Sequence, residues 1–225
     1  KQVNFKDVAK EVWYAKAVSF IAARDITAGT GGGNFSPESN LTRSQCIVIV
    51  MRAYGIAPDM NPADNFTDAG NTWYTGYLAT AKKLGISAGV GNNMFAPEKE
   101  ITRQEMFTLL YNALKAIGQL PRPHGRAVGG ADDQPGTHRQ AASEADEQTG
   151  GNGQIVSEAG NLPVGDTGKT LSDFSDAGDI APWAMDAIKL LVEAGIIQGS
   201  GNRLSPKDTT TRAQMAQVIY NLLPK

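Results

Sequence analysis

Apolar residues recur at helical spacing in three pairs of short stretches along the chain. In the leading stretch of a pair the pattern is clearest as Trp73, Tyr77, Leu78 and Ala81, and again as Trp183, Ala187, Ile188 and Leu191. Both stretches run out at a glycine, Gly85 or Gly195, the residue that most readily takes the left-handed turn closing a helix. The corresponding end in the first pair falls on Asp25, a poorer fit. The trailing stretches place Cys46, Ile49, Val50 and Ala53 on one face, then Met106, Leu109, Leu110 and Ala113, then Met215, Val218, Ile219 and Leu222. No strand-length alternation competes with these stripes, so the pattern predicts an all-α fold of helix-loop-helix units.

Each trailing stretch opens on the same signal. LTRSQ, ITRQE and TTRAQ pair Thr42 with Gln45, Thr102 with Glu105 and Thr211 with Gln214 in capping boxes, so three helices start here. The boxes account for the threonines and their partners. They do not account for Arg43, Arg103 and Arg212, which fall at the first helical position, where the helix dipole disfavours a cation by ~0.3 to 1 kcal/mol at an exposed site.

With the three arginines in register, much else aligns. Trp13 and Trp73 lie 30 residues before their arginines and Trp183 lies 29 before its own; these are all the tryptophans in the chain. Upstream stand Phe5-Lys6-Asp7, Phe66-Thr67-Asp68 and Phe174-Ser175-Asp176. Between tryptophan and arginine, DITAGTGGGNFSP, GISAGVGNNMFAP and GIIQGSGNRLSP align Gly29, Gly89 and Gly199, then Gly31, Gly91 and Gly201, then Pro37, Pro97 and Pro206. The chain is therefore a threefold internal repeat, with units expected at residues 1–57, 58–118 and 171–225. Arg43 to Phe66 spans 23 residues and Arg103 to Phe174 spans 71, so 48 extra residues separate the second and third units. This surplus, at about 119–170, is rich in Gly, Pro, Gln and acidic residues, which predicts a polar insertion or linker at the surface.

Composition narrows the chemistry. The chain has 225 residues and a formal net charge of -2, so it has no general attraction to nucleic acid or to acidic membranes, and any anion site must be local. The single cysteine, Cys46, lies on an apolar helix face and reads as a small buried hydrophobe. No stretch approaches the ~18 apolar residues of a membrane span, and KQVNFKDV has no signal-peptide apolar core. If the protein is exported, its signal is expected to have been removed before residue 1. His124 and His138 both fall in the polar insertion without metal-ligand spacing, and DAGDIAPW lacks the periodic Asp/Asn and final Glu of a calcium loop, so no metal is expected. No cofactor is expected either.

The order Phe-x-Asp, Trp, Gly-Ile, Gly, Phe-x-Pro and Thr-Arg-x-Gln/Glu resembles the S-layer homology (SLH) family, over nearly all of residues 1–118 and 171–225. The resemblance implies a pseudo-threefold, spindle-like helical trimer within one chain. Its grooves between repeats would bind secondary cell-wall polysaccharide, typically through a pyruvylated N-acetylmannosamine unit. It also implies an exported protein held at the cell wall or S-layer of a Gram-positive-type envelope, monomeric as an isolated module, with assembly beside other S-layer subunits coming through its parent protein.

On that resemblance the candidate ligand-binding residues are Arg43, Arg103 and Arg212, Trp13, Trp73 and Trp183, Asp7, Asp68 and Asp176, and Gly29, Gly89 and Gly199. A forked guanidinium beside free N–H groups at a helix start suits the ketal carboxylate. Loop glycines let backbone approach a sugar, and tryptophan offers an apolar face to a pyranose. Each type also has a structural reading: the tryptophans as core residues first, the aspartates as turn caps, the glycines as tight turns, the arginines as salt bridges across repeats. The chain departs from the family pattern at Gln45 and Gln214, where the family has Glu, at Tyr14 and Tyr74, where it commonly has Ala, and at Leu204 in place of a loop aromatic. If repeat three is the most altered site, Arg212 is expected to matter least. Besides an anchor, a protein-binding scaffold using the same arginines fits the pattern. A glycosidase, with carboxylates ~5 to 10 Å apart, fits poorly, because the motifs recur where an enzyme would have a unique acid.

Overall fold

Three helix-loop-helix units build the chain. The computed structural model describes residues 3–121 and 168–225; most of the insertion expected over 119–170, with both histidines, lies outside them. The first unit contains α1 (Ala15–Ala23) and α2 (Arg43–Ala53), the second α3 (Thr75–Lys83) and α4 (Arg103–Ala116), the third α5 (Met185–Glu193) and α6 (Arg212–Leu222). The third unit adds three-residue 3-10 turns at Leu171–Asp173, Ala177–Asp179 and Pro182–Ala184. The described residues form no strand, only isolated bridges, so the all-α expectation holds. The leading helices end where the pattern placed their stops, with Asp25, Gly85 and Gly195 all at positive φ (56°, 69° and 71°).

Helices of one unit do not pair with each other. Instead α3 packs on α2, α5 on α4, and α1 closes the circle by packing on α6. Each of the three prongs is thus built from two different repeats. The apolar stripes explain why: a nine-residue helix such as α1 buries Ala17, Val18 and Ile21 only against a partner, and the next repeat around supplies the previous one's cover. α2 also packs against α4 and α6, and eight of its eleven residues are buried.

At the pseudo-threefold axis the residues preceding the capping boxes hydrogen-bond in a ring. The Leu41 N–H donates to the Thr210 carbonyl (2.8 Å), Ile101 to Leu41 (2.9 Å) and Thr210 to Ile101 (3.1 Å). All three side chains are fully buried, and Thr210 Oγ1 has no hydrogen-bond partner among the described residues.

All three capping boxes form, with Thr42, Thr102 and Thr211 accepting from the third helical N–H. The first two N–H groups of each helix go to the next repeat. Arg43 and Ser44 donate to the Lys99 and Pro97 carbonyls, Arg103 and Gln104 to Asp208 and Pro206, and Arg212 and Ala213 to Ser39 and Pro37. Orphan donors that every helix start must satisfy are here the joints between units. The helix starts consequently keep no free N–H for a ligand in their first three positions, contrary to the expectation from sequence.

Candidate functional site

Each arginine sits where those joints converge. Arg43 Nε donates to the Phe95 carbonyl (2.8 Å), Arg103 Nε to Leu204 (2.8 Å) and Arg212 Nε to Phe35 (2.7 Å). Every such contact runs from one repeat to the loop of the next, and the third returns to the first. The carbonyls of three alternate loop residues, for example 95, 97 and 99, therefore crowd each helix start, and their negative ends offset the dipole cost of a cation at that position. Arg43 and Arg212 are each only 4% exposed, and their guanidinium groups lie 4.8 Å from the ring centres of Phe95 and Phe35. Leu204 offers no ring, and Arg103 is more open, lying over Phe107 of its own helix at 5.5 Å. Burial lowers the pKa of Arg103, opposed by Asp208 and Asp176, and that of Arg212, opposed by Asp7. A guanidinium does not lose its proton in a folded protein, so both remain cations.

Among the described residues the salt-bridge reading is realised once. Arg43 Nη1 meets Glu105 Oε1 across the repeat boundary at 3.0 Å. At the matching positions Arg103 and Arg212 face Gln214 and Gln45, which cannot form an ion pair.

Three grooves open beside the arginines, with volumes of about 500, 630 and 420 Å³, within the ~300 to 1,000 Å³ usual for small-molecule sites. The first joins Arg43, the loop carrying Gly89, helix α4 and Trp183. The second joins Arg103, the loop carrying Gly199, helix α6 and Trp13. The third joins Arg212, the loop carrying Gly29, helix α2 and Trp73. Every groove draws on all three repeats.

The tryptophans correct one expectation. They are not core residues: Trp13, Trp73 and Trp183 are 62%, 57% and 56% exposed, because each precedes its helix and projects toward a neighbour's groove. In the first two repeats an adjacent tyrosine braces the indole edge-on, Trp13 against Tyr14 at 5.1 Å and Trp73 against Tyr74 at 5.2 Å. Ala184 supplies no such brace to Trp183.

The aspartates lie behind the loops and do not line the grooves. Asp7 accepts from the Phe35 and Ser36 N–H groups, Asp68 from Phe95 and Ala96, and Asp176 from Leu204 and Ser205. They fix the turns in which Ser36, Ala96 and Ser205 adopt positive φ. Gly29 and Gly89 do line their grooves, but the reason for glycine is steric: a Cβ would collide with the Asn34 or Met94 carbonyl and with Phe5 or Phe66. Burial pushes the Cys46 thiol up to about 12, which leaves it inert. Among the described residues no group of three His, Cys, Asp or Glu side chains is placed to hold a metal ion.

One recurring position escaped the sequence reading. Nine residues after each arginine stand Arg52, Asn112 and Asn221, and all three line grooves. Their common register in the repeat was the available signal.

The S-layer homology domain signature matches residues 4–46, 65–107 and 173–216, more than half of the chain. The chain belongs to the S-layer homology domain family. Among relatives of this SLH chain, the S-layer protein sap of Bacillus anthracis is 25% identical over 216 residues, 96% of this chain and 21% of that protein. The surface-layer 125 kDa protein of Lysinibacillus sphaericus is 26% identical over 223 residues, again 96% of this chain but 14% of that protein. An amylopullulanase of Thermoanaerobacterium thermosulfurigenes is 34% identical over 123 residues, 52% of this chain and 7% of the enzyme. The chain spans about a fifth or less of the length of these relatives. SLH membership and the S-layer relatives indicate a cell-surface anchoring module at the cell wall rather than an enzyme. No helix among the described residues is long and apolar enough to cross a membrane.

Proposed function

We propose that the chain anchors its parent protein by binding secondary cell-wall polysaccharide ending in pyruvylated N-acetylmannosamine, through the three repeats at 1–57, 58–118 and 171–225. The observation that carries this reading is the composition of the grooves: a repeat-spanning guanidinium and an exposed indole face the same space in each. That pairing suits a sugar with one anionic substituent and one apolar face. The arginines hold the repeats together through Nε and direct what remains of the fork at the ketal carboxylate.

Calorimetry with a synthetic terminal saccharide, with and without the ketal, tests the reading. Loss of the ketal should weaken binding by ~1.5 to 3 kcal/mol, the range for a hydrogen bond to a charged group. Each Arg→Lys variant keeps a charge but loses the fork, so binding should recover only in part. Trp73→Ala alters an exposed side chain and should weaken binding while leaving the melting temperature almost unchanged. Binding that ignores the ketal in folded protein would instead favour a scaffold that grips acidic groups of a partner protein.

A further inference from the structure

Each groove receives its indole from a residue just ahead of a leading helix, and the residue that follows the tryptophan differs between repeats. Tyr14, Tyr74 and Ala184 are the N-caps of α1, α3 and α5, and their backbones nearly coincide (φ -94°, -101° and -99°; ψ -3°, -10° and -8°). The three tryptophans therefore project from equivalent backbones, and what differs is the side chain beside them. Tyr14 and Tyr74 are buried, and neither lines a groove. Each meets the preceding indole edge to face, with interplanar angles of 86° and 77°.

The far end of each phenol is held as well. The residue after the aligned loop proline is Glu38 in repeat one, Glu98 in repeat two and Lys207 in repeat three. Burial and the Glu38 carboxylate raise the pKa of Tyr14, and burial and Glu98 raise that of Tyr74, so both phenols keep their proton and face a carboxylate as donors. These glutamates belong to the stretches whose carbonyls, at Pro37 and Ser39 or at Pro97 and Lys99, accept the first N–H groups of a neighbouring helix. The brace thus ties an exposed indole to a joint between repeats. In repeat three Ala184 offers no ring and Lys207 pairs with Asp179 at 3.2 Å; Pro182 stiffens the backbone ahead of Trp183 without fixing its side chain.

We propose that Tyr14 and Tyr74 are positioning residues for carbohydrate binding, each fixing the indole ahead of it, Trp13 at the Arg103 groove and Trp73 at the Arg212 groove, in the orientation that meets a pyranose. This rests on the saccharide reading above. An exposed indole turns about two side-chain torsions, and a ligand that packs on it loses affinity to the entropy of stopping them. A brace made before binding removes that loss. The tyrosines act only through the tryptophans, since neither reaches a groove. Trp183 has no brace, so the indole of the Arg43 groove is ordered by the ligand itself.

Fluorine NMR of the whole chain labelled with fluorotryptophan tests this, because its three tryptophans give one reporter for each groove. Without ligand, Tyr74→Ala should move the Trp73 signal toward that of an unstructured indole and narrow it, with the Trp13 and Trp183 signals unchanged. Alanine already stands at the equivalent cap as Ala184, so the helix start accepts it. Titration with the synthetic pyruvylated saccharide, followed signal by signal, should show affinity at the Arg212 groove reduced about two- to tenfold, the entropy of one ordered side chain, and the other two grooves unaffected. Tyr74→Phe keeps the ring contact and should restore most of both readouts; the same pair of changes at Tyr14 should act on Trp13 and the Arg103 groove alone. A Trp73 signal unmoved in Tyr74→Ala, an unchanged affinity at its groove, or a Tyr74→Phe variant as weak as Tyr74→Ala would overturn the positioning role and leave the saccharide reading standing. A saccharide that shifts none of the three wild-type signals would overturn both.

Discussion

Single side chains decide how the threefold pattern is broken. Thr210 occupies the axis with Leu41 and Ile101, and its hydroxyl is buried without a partner among the described residues. A hydroxyl in that state retains its desolvation cost, so Thr210→Val, nearly isosteric, should stabilise the protein by about 1 kcal/mol. Urea unfolding of the two proteins checks this, and a less stable variant would mean that the hydroxyl is satisfied in solution. Leu204 is a second break: it removes the ring on which the other two loops seat an arginine, and leaves Arg103 the most open of the three. Because Arg103, and not Arg212, borders the altered loop of repeat three, the expectation that Arg212 matters least loses its premise. Each arginine was legible as unusual from its place at the start of a helix. Which loop it grips was not, since the contact joins residues 52 to 177 positions apart.

At the scale of elements, the glycine-rich loop is held from behind by its aspartate and from beside by the neighbouring helix start. Some loss of water raises the pKa of Asp7 and of Asp176, but the paired N–H groups, with Arg212 or Arg203, more than offset it, so both lie below the ordinary value. A carboxylate lowered in this way adds stability above its unfolded pKa, ~3.9, and loses it as pH falls through the folded value. Stability should therefore drop below about pH 4, and the drop should be shallower in an Asp7→Asn, Asp176→Asn double variant. Denaturant midpoints at pH 3 and pH 5 measure it; equal slopes would place the acid sensitivity elsewhere. Helix starts and stops were readable because capping boxes and left-handed stop residues are local devices. The tryptophans misled because their apolar spacing continues the helical stripe by one turn, while the chain enters α1, α3 and α5 only after them. Periodicity cannot tell an apolar face toward a core from one toward a groove.

In the whole molecule, every prong and every groove is shared among repeats, and the circle closes only when α1 meets α6. Unfolding one unit strips the partner helix from the next, so heating should give one cooperative transition, with the 1–57 fragment largely unfolded when made alone. Calorimetry of the chain and circular dichroism of the fragment test this; a stably helical fragment would show that a repeat does not need its neighbours. The sequence by itself determined what depends on local spacing: three units, six helices and their caps, the arginines as anomalies, and through the repeated motif the family. Tertiary structure alone decided what depends on which repeat meets which. It paired the leading helix of one unit with the trailing helix of the unit before it, and turned the first N–H groups of each trailing helix into joints. It also assembled Arg, loop and Trp from three different repeats, and set Glu105 in an ion pair with Arg43, where the neutral Gln45 and Gln214 form none with theirs. The physical reason is that a pseudo-threefold axis fixes neighbours by rotation in space, whereas the sequence orders the repeats along a line and carries no record of the direction in which the circle closes.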